Sequence, residues 1–87
     1  NEYGKLEAEL FLDNLFLHLK LYKWSKNMFK FYRDFFETWL MEVRSSGFKK
    51  VYTAIQKNDE KLIKFECMFG FEIDTDLGDI IIMSRST

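Results

Sequence analysis

The sequence predicts an α/β domain with a mixed sheet, its elements running β-β-α-β-α-β-β. Three observations predict it. Two runs near the amino terminus alternate leucine with polar residues, the period of a strand with one buried face. A longer segment then switches to apolar residues at three- and four-residue steps, the period of a helix. Beyond it lie a short β-branched run, a second helical segment ending in glycine, and two further strand-like runs.

In the first run, residues 5–12 (KLEAELFL), Leu6, Ala8, Leu10 and Leu12 share a face. Residues 15–22 (LFLHLKLY) repeat the device with Leu15, Leu17, Leu19 and Leu21. Asp13 and Asn14 between them tolerate the positive φ of a tight turn, so an antiparallel hairpin is predicted. In the following segment, Met28, Tyr32, Phe35, Phe36, Trp39, Leu40 and Val43 form one apolar stripe. Ser25 or Asn27 can cap its start, and Gly47 lies just past its end. VYTAI, residues 51–55, reads as a buried strand. Asn58 and Asp59 offer an N-cap to a helix in which Leu62, Phe65 and Phe69 share a face, and Gly70 supplies the left-handed residue that ends it. FEIDTD and DIIIMS form the last two strands around Leu77-Gly78.

A chain of 87 residues is one small domain, or part of one. It is 47% hydrophobic and 18% aromatic, which excludes a disordered tail, because such a tail lacks the apolar surface to offset its ordering entropy. No apolar run approaches the ~20 residues of a membrane-spanning helix. A single cysteine, Cys67, forms no internal disulfide, fits a reducing compartment, and is expected to act as a small hydrophobe on its helix. Because the first residue is Asn1 and not Met, a fragment or processed chain is expected.

Net charge is −1, yet Lys20, Lys23, Lys26, Lys30 and Arg33 place +5 between Leu19 and Arg33 with no acid among them. Strand 15–22, the long helix and strand 51–55 form a β-α-β unit, whose strands are expected to be parallel neighbours. That puts the basic cluster at the carboxyl end of the first of these strands and at the helix N-terminus. Ligands of open sheets bind there, and free N–H groups favour phosphate. Bases and aromatics also interleave in YKWSKNMFKFYR, as on single-strand nucleic-acid platforms. The same aromatics serve the helix stripe and the chain is slightly acidic, so nucleic acid is not taken as a partner. His18 is the only histidine, with no ligand at metal spacing. Glu7, Glu9 and Asp13 offer a base equally well explained as an exposed strand face.

From Gly47 onward, GFKKVYTAIQKNDEKLIKFECMFGFEIDTD followed by GDIIIMSRS resembles the GNAT superfamily of acyl-CoA N-acyltransferases. The residues that fit are Gly47, Val51 to Ile55, Asn58, Ile63, Phe65, Gly70 and Phe71. The preceding hairpin and long helix are similar to that family's middle strands and cofactor-binding helix. The resemblance implies that residues 1–87 are a single GNAT-like domain corresponding to the C-terminal part of the fold and lacking the family's N-terminal strands and helices.

In that family a glycine-containing loop cradles the CoA pyrophosphate, two parallel strands splay so that the acyl arm pairs with the first, and a helix tyrosine often protonates the departing thiolate. The resemblance therefore assigns acetyl-CoA as cofactor and Lys23, Ser25, Lys26, Asn27, Met28 and Lys30 as its binding residues. Departures are plain: the loop YKWSKNMFK has no glycine, and Glu66 occupies the usual tyrosine position. A carboxyl there is a poor acid near neutral pH unless burial raises its pKa, and a solvent-facing glutamate is expected. Two function classes follow: an N-acyltransferase-like domain with impaired or absent catalysis, its amine acceptor unspecified, or a structural module using the same scaffold. The second resembles degenerate GNAT-like proteins of tailed-phage virions, and it implies a homo-oligomer or a partner chain completing the sheet. The location implied is the cytoplasm of the host cell, or the virion.

Overall fold

A computed structural model describes residues 4–21 and 26–87. Strands β1 (Gly4–Phe11) and β2 (Asn14–Leu21) lead into helix α1 (Lys26–Ser45) and strand β3 (Lys50–Gln56). Helix α2 (Glu60–Met68) and strands β4 (Glu72–Asp76) and β5 (Ile80–Ser86) follow. This is the predicted order, in one mixed five-stranded sheet ordered β1-β2-β3-β5-β4. Only β2 and β3 are parallel; the other neighbours run antiparallel.

The hairpin forms one residue earlier than the sequence pattern predicts. Phe11 pairs with Asn14, and the two-residue loop is Leu12-Asp13, with φ of 50° and 66°. Positive φ at both loop positions matches the right-handed twist of the flanking strands. Leucine meets that demand poorly, and Leu12 lies 80% exposed. The apolar alternation still survives, because the turn displaces the strand ends and not the register of the leucines.

Both helices pack on one face of the sheet. From α1 the buried side chains are Tyr32, Phe36, Leu40 and Val43, with Phe29 and Trp39 partly buried beside them. Phe35, predicted for the same stripe, stands half exposed at its margin. From the sheet come Leu15, Leu17, Val51, Ile55, Ile81 and Met83, alternate positions as the pleat requires. Phenylalanines join the helices to one another. Phe65 lies 4.7 Å from Phe69, Phe69 lies 5.5 Å from Phe36, and Phe36 lies 5.8 Å from Phe71, centroid to centroid. Edge-to-face and offset pairs of this kind add about 0.5–1.5 kcal/mol each beyond the area they bury.

Both helices also stop in the same way. After α1, Gly47 donates to the Arg44 carbonyl and Phe48 to that of Val43. After α2, Gly70 donates to Cys67 and Phe71 to Glu66. Each glycine has positive φ, 98° and 87°, so Gly-Phe supplies the left-handed residue and an apolar anchor. Of the proposed N-caps, Asp59 accepts from the Leu62 N–H. Asn58 plays no such part, Asn27 lies inside α1, and Ser25 lies outside the described residues.

Replacing the loop by Asn-Gly, as Leu12→Asn with Asp13→Gly, removes the strained leucine and is expected to stabilise the fold by about 1 kcal/mol. Urea denaturation measures this as a higher midpoint at unchanged slope.

Candidate functional site

The parallel junction is short. β2 and β3 register only Leu15 with Val51, Phe16 with Tyr52 and Leu17 with Thr53. By contrast β1 and β2 pair over eight residues, and β3 and β5 over seven. Beyond Leu17 and Thr53, residues 18–21 and 54–56 have no partner across this seam, so the two strands part toward their carboxyl ends. At the fork, the buried Thr53 hydroxyl donates to the Leu17 carbonyl at 3.1 Å. The last registered pair is thus closed by a side chain.

Each flank of the fork carries different chemistry. On the helix side lies an apolar cleft of roughly 30 Å³, lined by Leu6, Leu17, Tyr32, Phe35, Phe65 and Glu66 among others. Glu66 is 6% exposed, which corrects the expectation of a solvent-facing glutamate. Its side chain turns inward because position 66 flanks the Phe65–Phe69 face, which packs on the sheet's covered side against Phe29 and Phe36 of α1. Burial raises its carboxyl pKa to about 7, since the ionised form loses hydration without gaining a paired charge. Cys67, expected as a small hydrophobe on its helix, lies exposed on α2 one residue further along.

On the uncovered face, His18 Nε2 lies 3.1 Å from Glu9 Oε2, immediately past the last registered pair. Phe16 stacks on Tyr52 beside it, with ring centroids 5.5 Å apart. Among the other acids weighed as a base, Glu7 is bound by Lys5 at 2.6 Å, and that bond holds its carboxyl below the usual range. Asp13 sits in the hairpin loop, at the opposite end of β2 from the fork. No group of side chains that could hold a metal ion occurs among the described residues.

Of the predicted cofactor residues, Lys26, Asn27 and Lys30 are exposed in the first turns of α1, whose first turn carries no acid. Met28 belongs to the same helix. Lys23 and Ser25 lie outside the described residues. Sequence reasoning thus placed the N-terminus of α1 beyond the carboxyl end of β2, but missed the inward turn of Glu66. The available signal was the 62-65-69 apolar face, on whose flank position 66 falls at helical spacing.

No protein-family model matches the chain, and no curated protein or solved structure matches it either. No helix among the described residues is long and apolar enough to cross a membrane.

Two expectations follow. Because the folded-state pKa of Glu66 is raised, the native state binds more protons than the unfolded chain between about pH 4.5 and 7. Stability should fall as pH rises through that window, by about 3 kcal/mol once Glu66 is ionised. Glu66→Gln should remove this dependence, as followed by urea denaturation at pH 5 and pH 8. Separately, Thr53→Val leaves the Leu17 carbonyl without its bond and should cost about 1–2 kcal/mol, measured at one pH by the same method.

Proposed function

We propose that the chain is an acyl-CoA-binding domain of GNAT type with impaired or absent catalysis. The observation that carries this reading is the parallel seam of three registered pairs, opening beyond Leu17 and Thr53. Unpaired strand edges offer amide donors and acceptors to an extended arm that itself contains amides, as an added strand does. The helix that follows β2 brings Lys26, Asn27 and Lys30 to the same end of the sheet, where its free N–H groups favour phosphate. Both features fit the chemistry of acetyl-CoA. The loop without glycine does not, because a Cβ obstructs close backbone approach to phosphate. Lysines would then hold the pyrophosphate as point charges.

When bound, acetyl-CoA would supply an acyl thioester to an amine. On one side of the fork, Glu66 retains a proton on its carboxyl to about pH 7 and can pass it to a leaving sulfur. On the other side, the His18–Glu9 pair can accept a proton from an attacking amine. Exposure leaves that pair screened and loosely held, which supports weak chemistry at best. A second reading, a non-enzymatic scaffold with virion or other structural use, is favoured by the open edge of β1, taken up below.

Acetyl-CoA at millimolar concentration should raise the melting temperature by several degrees, since a ligand that binds only the native state stabilises it by mass action. Lys26→Glu combined with Lys30→Glu should abolish that rise without lowering the melting temperature of the free protein. An unchanged melting temperature for the wild type would remove the cofactor from this account.

A further inference from the structure

The sheet has two edges, and they differ in kind. β4 spans only five residues, carries Glu72, Asp74 and Asp76, and loses register between Ile73 and Thr75. Short length, charge and a bulge are the devices that keep an edge from pairing with another chain. β1 has no such bulge: it runs eight residues in unbroken register with β2. Its helix-facing row is under-covered, with Leu6 half-buried and Leu10 62% exposed. Beside that row, Phe35 of α1 shares the apolar cleft with Leu6, and Phe31 stands one turn before it, each half exposed.

We propose that β1 is the edge through which two copies of this chain pair, antiparallel about a two-fold axis. Charge selects the partner and the register. A two-fold axis perpendicular to the sheet keeps each side-chain row on its own face, so the axis passes through a residue. Centred on Ala8, the pairing sets Glu7 against Glu9 of the second copy. Centred on Glu7, it sets Lys5 against Glu9 of the second copy twice, but also Glu7 against itself. Centred on Leu6, it sets Lys5 against Glu7 of the second copy twice, with Leu6 meeting Leu6 between them. Like charges directly opposite are destabilising and opposite charges favourable, so the Leu6-centred register wins. The two five-stranded sheets then become one continuous sheet, both helical layers lie on the same side, and Phe31 and Phe35 of each copy close over the junction. Isologous two-fold pairing is also the commonest way for a chain to assemble with itself.

This inference stands apart from the acyl-CoA reading. A dimer insensitive to acetyl-CoA leaves it intact, and a monomer that binds acetyl-CoA removes it alone. Sedimentation velocity on the full chain tests it. The wild type should sediment at twice the 10.6 kDa chain mass. Lys5→Glu and Glu7→Lys, each alone, should sediment as monomers while retaining the wild-type circular dichroism. An equimolar mixture of the two variants should restore the dimer, because each chain then meets the opposite charge across the axis. Unfolded chains would give no such rescue. A monomeric wild type, single variants that remain dimeric, or a mixture that remains monomeric would each overturn the proposal.

Discussion

Three residue pairs join the two parts of this sheet. On one side stands the β1–β2 hairpin, which alone would be marginal in water. On the other stands β3-β5-β4, packed against both helices. The parallel seam at Leu15–Leu17 and Val51–Thr53 holds them together, with the core residues beneath it and the Thr53 hydroxyl at its end. Its position also decides where the site lies. A longer seam would have consumed the strand edges that now face one another, and a shorter one would have left Leu17 and Val51 unsupported over the aromatic cluster.

The chemistry on the two sides of the fork follows from coverage. Helices lie on one face only, so a carboxyl on that side loses water and meets no opposite charge among the described residues. Glu66 therefore titrates near neutrality, and the fold bears a cost above that pH that glutamine would not impose. On the uncovered face, His18, Glu9, Lys5 and Glu7 remain hydrated, and their ion pairs contribute little to stability. One covered and one open face thus put a neutral acid and a hydrated His–Glu pair on opposite sides of the same three residue pairs.

Element order was legible because each signal was local and repeated. Leucine alternation gave the hairpin, the 32-36-40-43 spacing gave α1, and Gly-Phe after each helix gave its end. What escaped was set by distant neighbours. The turn slipped to Leu12-Asp13 because strand pairing, not loop preference, decided which residues took positive φ. The burial of Glu66 has no local signal, because the cleft it lines is completed by Leu6, Leu17 and Tyr32 from other elements. Phe35 fits the apolar stripe by spacing, but it lies at the margin beside Leu6, where no further described element covers it. The fork itself left no mark in composition: nothing in residues 18–21 or 54–56 says that those strands part. As for the candidate site, the sequence placed Lys26, Asn27 and Lys30 at the carboxyl end of β2, and only the fold gave the opened strands beside them.

The central claim is that the parted ends of β2 and β3 seat an extended acyl-CoA arm. Amide chemical shifts recorded during an acetyl-CoA titration test it most directly, because they report position as well as binding. The account predicts shifts concentrated in residues 18–21 and 54–56 and in the first turns of α1, saturating together. Shifts confined to the lysine side of α1, with residues 18–21 and 54–56 unmoved, would mean that the anion is bound by charge alone and would contradict it.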